Sequence, residues 1–135
     1  MALQALSKYK DNEKVKPYID RALDKLSGIQ NEDGGYSSWG SVNSESIAQV
    51  ITALTSLGID PAKDSRFIKN GNWTISALMN FYVEGGGFKH ILSSNRDAMA
   101  TDQGMYAIVA YDRFVNKKTS LYNMTDVEDS QKEDI

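Results

Sequence analysis

The chain of 135 residues contains no cysteine, one histidine and two prolines. Without cysteine it cannot form disulfides, thiolate nucleophiles or thiolate metal sites. The absence of cysteine is compatible with both reducing and oxidising compartments, so it does not indicate where the protein resides. No apolar run approaches the roughly 18 residues of a transmembrane helix, so we predict no membrane span. The opening residues Met1–Gln4 lack the basic and apolar blocks of a signal peptide, so we predict none in this chain.

The acidity of the chain is concentrated at its C-terminal end. Residues 126–135 carry five acidic side chains and one lysine, a net charge of −4, so the other 125 residues carry +1 of the total of −3. A nearly neutral body without a basic stripe argues against nucleic-acid binding. We predict that residues 124–135 form an acidic, disordered tail.

Apolar residues recur at helical spacing in four long segments, after a short helix that includes Leu3 and Leu6. The first segment begins at Val15, and Gly28 is predicted to end it in the left-handed conformation. The second begins with Asn43 or Ser44 as its cap. The predicted segments therefore run from 15 to 26, from 44 to 57, from 74 to 82 and from 99 to 115.

Glycine-rich turns with an aromatic residue follow two of these helices. Gly34-Gly35-Tyr36 matches Gly86-Gly87-Phe88 at an offset of 52, while the flanking helices match at offsets of 55 and 57, the latter aligning Glu45 with Asp102. The side-chain amide of Gln30 is predicted to bond free N–H groups at the start of a neighbouring helix. The connector between the repeats, residues 62–71, is predicted to be anchored by Phe67 through one helical turn.

This pattern predicts an all-α domain over residues 1–123, with helix-hairpin repeats at about 14–58 and 72–116. Gln30-x-x-x-Gly34-x-Tyr36 resembles the repeat motif of terpene-cyclase and protein-prenyltransferase α/α toroids, with tyrosine where tryptophan is usual. The run from Ile19 to Tyr122 is more similar to the prenyltransferase-like repeats of bacterial cell-surface proteins, which often accompany a domain related to vitamin B12 carriers. The resemblance implies an arc of an α/α toroid and an extracellular or cell-surface location.

The catalytic signatures of those relatives are missing. The acidic cluster of the cyclases has no counterpart, since Asp126-Val127-Glu128-Asp129 lies in the tail. One histidine without cysteine cannot build the zinc site of the prenyltransferases. The sequence therefore favours a non-catalytic module that binds a protein or a ligand, with no cofactor, no metal and no catalytic residue assigned.

An enzyme or small-ligand binder with a concave, aromatic-lined site is the alternative. Convergence of Glu45, His90 and Asp102 in one pocket would favour this alternative, whereas scattered positions would favour the non-catalytic module. Each candidate also has a structural interpretation, as a helix-dipole partner, a capping histidine or a core aromatic. The candidate ligand-binding residues are Tyr36, Trp39, Glu45, Phe88, His90, Asp102 and Tyr106. Calcium binding by Asn31, Glu32 and Asp33 is weighed against a turn simply rich in turn-forming residues.

An open arc of repeats leaves apolar faces at both ends. Leu3 and Leu6 at one end, and Phe114, Leu121 and Tyr122 at the other, are predicted to be exposed. Uncapped repeats tend to self-associate, so we expect a protein partner or a homodimer formed through these ends.

Overall fold

The computed structural model describes residues 2–121. Five α-helices appear in this range, together with two short 3-10 helices and four two-residue strands. The helices are α1 (Ala2–Leu6), α2 (Lys16–Ile29), α3 (Ser44–Ser56), α4 (Thr74–Met79) and α5 (Ala98–Val115), with 3-10 helices at Ser7–Tyr9 and Ser65–Phe67. The strands are β1 (Ser37–Ser38), β2 (Ser41–Val42), β3 (Phe88–Lys89) and β4 (Arg96–Asp97).

The fold is mixed α/β, so the prediction of an all-α toroid arc is wrong. Strand β1 pairs antiparallel with β2, and β3 pairs antiparallel with β4, so each glycine-rich turn leads into a β-hairpin before the next helix begins. No strand could be predicted here because two-residue strands are too short to show the alternation of apolar and polar residues. The resemblance to the toroid families fails with the fold class that it implied.

The two glycine-rich turns nevertheless share one backbone geometry. In the first turn the Asn31 amide donates to the Gly35 carbonyl, and the Gly34 amide donates to the Asn31 carbonyl, both at 2.9 Å. In the second turn the equivalent bonds join residues 83 and 87 at 2.8 Å and residues 86 and 83 at 2.9 Å. The offset of 52 between the turns is therefore present in the hydrogen bonds as well as in the sequence.

Helix α3 lies between two hydrophobic clusters. On one side, its Val50, Ala53 and Leu54 pack with Tyr36 and with residues of α1 and α2. On the other side, Ile47, Ala48 and Ile51 pack with the second half of the chain, including Leu78, Phe81, Phe88, Ala100 and Ala107. Glutamines add a polar link between neighbouring helices, since Gln4 of α1 donates to Gln49 of α3, and Gln49 donates to Gln103 of α5.

Several local predictions are confirmed, and others need correction. Asn43 caps α3 through a 2.9 Å bond from the Ser46 amide, and the fully buried Phe67 is the last residue of a 3-10 turn.

Gly28 does not end α2, which continues to Ile29, and the third long predicted helix, α4, ends at Met79 rather than at residue 82. Gln30 Nε2 donates to the carbonyls of Gly34 and Phe67, at 3.0 and 2.9 Å. Contrary to the prediction, the side chain therefore acts as a donor to two carbonyls and does not accept from N–H groups at a helix N-terminus.

The ends of the described chain are less apolar at their surface than predicted. Leu3 is buried at 9% exposure in the first cluster, and Leu6, Phe114 and Leu121 are half-buried. The prediction that Leu3 is exposed is wrong because α1 folds onto α3 within the chain. Leu6, Phe114 and Leu121 are less exposed than predicted. Tyr122 and the predicted tail lie outside the described residues.

No helix within residues 2–121 has the length and apolar content needed to cross a bilayer.

Candidate functional site

Glu45 and His90 are brought into contact at the start of α3. Glu45 Oε2 lies 2.7 Å from His90 Nδ1, and the side chains are 15% and 54% exposed, respectively. The backbone holds this arrangement, because the Ser44 amide donates to the His90 carbonyl at 3.1 Å. The Ser44 hydroxyl donates to the Lys89 carbonyl at 2.7 Å, so the second hairpin is attached to the first turn of α3.

The geometry of this pair supports a structural role more than a catalytic one. A serine nucleophile needs its hydroxyl within reach of the imidazole base and open to a substrate. The Ser44 hydroxyl instead contacts Glu45 Oε2 at 3.3 Å, and Ser44 is fully buried. The Glu45 carboxylate orients the imidazole of His90 and anchors the hairpin that carries it.

Tyr36 and Phe88 are core aromatics. The Tyr36 hydroxyl donates to the Leu26 carbonyl at 3.1 Å, and burial raises the pKa of Tyr36. Phe88 is 1% exposed and packs so closely on Gly104 that a Cβ there would lie 2.5 Å from its ring. Both rings connect a glycine-rich turn to the helix that follows its hairpin.

Trp39 has the opposite environment, since its side chain is fully exposed at the tip of the first hairpin. Trp39 and Gly40 form a two-residue loop and both have positive φ, 53° and 79°, as in a type I′ turn. Asparagine and glycine favour such positions, whereas a large aromatic residue does not. An exposed tryptophan in this conformation is available for contact with another molecule.

Asp102 and Tyr106 lie together on the outer surface of α5. With Met105, Val109 and Leu121 they line a shallow groove of about 430 Å³. Neither Glu45 nor His90 lines this groove. The alternative that depended on convergence of Glu45, His90 and Asp102 therefore has only two of the three residues in contact.

A second groove, which we call the three-helix groove, lies between α1, α2 and α3 and has a volume of about 450 Å³. Of the predicted site residues, Tyr36 lines it. Its other lining residues are Ala2, Leu3, Ala22, Lys25, Leu26, Ile29, Ser37, Ser46, Gln49, Val50 and Ala53. This groove was not predicted from the sequence, where the small residues Ala22 and Ala53 on facing helices are its only signal.

The predicted equivalence of Glu45 and Asp102 is wrong. The side chain of Asn43 accepts from the Ser46 amide, and that of Asp97 accepts from the Ala100 amide at 2.8 Å. These caps align α3 with α5 at an offset of 54, not 57. The longer loop of the second hairpin, between Lys89 and Arg96, could not be placed from sequence alone.

The polar residues of the first turn have local hydrogen-bond partners. Asp33 Oδ1 accepts from the Gly35 amide at 2.8 Å, and the Asn31 side chain donates to the Ser37 hydroxyl at 3.0 Å. The turn-forming interpretation accounts for these contacts. Within residues 2–121 no group of three histidine, aspartate or glutamate side chains is placed to hold a metal ion.

No protein-family model matches the chain, and no match was found among curated proteins or solved structures.

Proposed function

We propose that this chain is a non-catalytic assembly module, which binds a second copy of itself through the outer face of α5. The α5 face is defined here as Asp102, Met105, Tyr106 and Val109. The single observation behind the proposal is that the same positions of the equivalent helix, α3, are buried by a neighbouring unit of the fold.

The equivalence of α3 and α5 rests on two independent contacts. The caps Asn43 and Asp97 give an offset of 54. The aromatic residue of each turn supports the same offset, because Tyr36 packs in a cluster with Val50 and Ala53, and Phe88 packs with Gly104 and Ala107. The two helices therefore use the same positions to contact their own turns.

At this offset, the α5 face corresponds to a surface of α3 that is almost completely buried. The α3 residues are Ala48, Ile51, Thr52 and Thr55, at 1, 0, 4 and 7% exposure. On α5, Asp102 is exposed, and Met105, Tyr106 and Val109 are 49, 53 and 39% exposed. On α3 this face packs against the second half of the chain. On α5 the corresponding face is exposed.

The composition of the α5 face suits contact with protein. Methionine and tyrosine are enriched at protein interfaces, and methionine adapts its shape to a partner. In a two-fold antiparallel pairing centred between Met105 and Tyr106, the two Asp102 residues would lie about 10 Å apart along the helix axis. The two carboxylates would then not oppose each other directly.

Overall charge also permits two copies to approach each other. The first 125 residues carry a net charge of only +1, which produces little long-range repulsion. Two-fold dimers are the commonest closed assemblies of identical chains, so a second copy is the occupant that we propose.

Light scattering after size-exclusion chromatography tests this function, with Met105→Glu as the disrupting variant. The unchanged chain is expected to approach about twice its single-chain mass of 15.0 kDa as its concentration rises. Met105→Glu would bury a charge at the interface and should remain a monomer.

Met79→Glu is the matched control, because Met79 is 45% exposed but lies on α4, outside the α5 groove. This control should associate like the unchanged chain. Monomers for all three proteins at every concentration would contradict the proposal, as would equal loss of association in both variants. The extracellular or cell-surface location stays a prediction.

A further inference from the structure

We propose that the three-helix groove binds a small amphipathic molecule with a hydrocarbon body and a single anionic end. The inference is independent of assembly through α5. The three-helix groove is lined by residues of α1, α2 and α3 together with Tyr36 and Ser37, and it shares no lining residue with the α5 groove.

The lining of the groove is predominantly apolar. Its volume of about 450 Å³ falls within the range of small-molecule sites, which is about 300–1,000 Å³. Burial of apolar ligand surface would supply the main favourable free energy. Seven apolar side chains form most of the surface: Ala2, Leu3, Ala22, Leu26, Ile29, Val50 and Ala53.

The amide and phenol groups in the lining are already occupied by other protein groups. Gln49 Nε2 donates to Gln103 at 3.1 Å, and Gln49 Oε1 accepts from Gln4 at 3.0 Å. The Tyr36 hydroxyl donates to a backbone carbonyl. These groups would not need new partners in the presence of a hydrocarbon chain, and their bonds hold the groove walls together.

The two serines in the lining also have partners. The Ser37 hydroxyl accepts from the Asn31 amide, and the Ser46 hydroxyl donates to Ser38 at 3.3 Å. The hydroxyls therefore provide no strong preference for a polar ligand body.

Lys25 is the exception. Among the lining residues, all within the described part of the chain, it is the only one with a charged side chain, and no ion pair or hydrogen bond of its ammonium group is present there. A lysine can pack its methylene stem along an apolar surface while its ammonium group stays at the rim. An anion on the end of an apolar ligand would complement this charge, since no carboxylate lines the groove.

Titration calorimetry with three ten-carbon probes tests the proposal on the full chain. Decanoate is expected to bind, while 1-decanol should bind about two- to fivefold more weakly because it lacks the charge. Decylammonium should bind more weakly than the alcohol. Equal or tighter binding of decylammonium would overturn the assignment of an anionic end.

Two variants locate the binding. Lys25→Gln should remove most of the preference for decanoate over 1-decanol, whereas Lys14→Gln, on the exposed connector before α2, should leave it unchanged. Ala22→Leu should fill the groove and weaken binding of both probes at least tenfold, with circular dichroism verifying that the variant is folded. Failure of decanoate to bind at millimolar concentration, or binding insensitive to both Lys25→Gln and Ala22→Leu, would overturn the proposal.

Discussion

Gly34 occupies a position that combines an unusual backbone angle with a close backbone approach. Its φ is +84°, and a Cβ atom there would lie 2.8–2.9 Å from backbone atoms of Trp73. The neighbouring backbone cannot move aside as a flexible side chain could. This glycine therefore allows the first turn to pack directly against the residue that precedes α4.

Replacing Gly34 with alanine should destabilise the protein by about 2–4 kcal/mol, through left-handed strain together with the backbone clash. Gly28→Ala is the control, because Gly28 lies inside α2 with no atom within 4 Å of its would-be Cβ. That control should increase stability by about 0.5–1 kcal/mol. Urea unfolding measures both, and similar effects of the two changes would contradict the packing described for Gly34.

The residues that could be predicted from sequence are those whose role is set by near neighbours. Asn43 as a helix cap needs only the amide three residues later. Gln30 needs the Phe67 carbonyl, 37 residues away, and its donor role became clear only when the connector was placed. The contact between Glu45 and His90 likewise joins residues 45 apart in the chain and could not be predicted from sequence. The turn at Trp39 involves only neighbouring residues.

Among the secondary-structure elements, the two β-hairpins differ most from the prediction, which contained only helices and turns. Helices α2, α3 and α5 have enough length for their period to be recognised, and their bounds agree with prediction to within a few residues. Strands of two residues, such as those on either side of Trp39 and Gly40, leave no such pattern. Because these short strands were not predicted, the observed fold class is mixed α/β and not the predicted all-α class.

Trp39→Asn tests the turn type of the first hairpin. Asparagine accepts positive φ more readily than tryptophan, and the exposed ring of Trp39 has little packing to lose. Stability should therefore rise by about 0.5–1 kcal/mol. Trp39→Val should lower it, because a β-branched residue disfavours positive φ. Thermal unfolding that ranks valine above asparagine would show that the turn has another conformation.

For the whole molecule, the main feature is the unequal coverage of two equivalent helices. Helix α3 is packed on both sides, while α5 has a core side and an outer face with exposed methionine, tyrosine and valine side chains. An open arc of repeats predicted free apolar surface at Leu3 and Leu6 and at Phe114, Leu121 and Tyr122. That the chain itself covers Leu3, through packing of α1 against α3, could not be read from periodicity. Helical periodicity shows which residues share a face, but not which face has a neighbour.

The most direct test of assembly through the α5 face is the reactivity of one thiol on that face. The chain has no cysteine, so Val109→Cys introduces a unique site, and Val115→Cys provides a control on the same helix outside the α5 groove. Maleimide labelling would be followed as the protein concentration is raised from micromolar to near millimolar. We predict that labelling at position 109 slows several-fold while labelling at position 115 stays constant. Labelling rates that remain constant at both positions would contradict it.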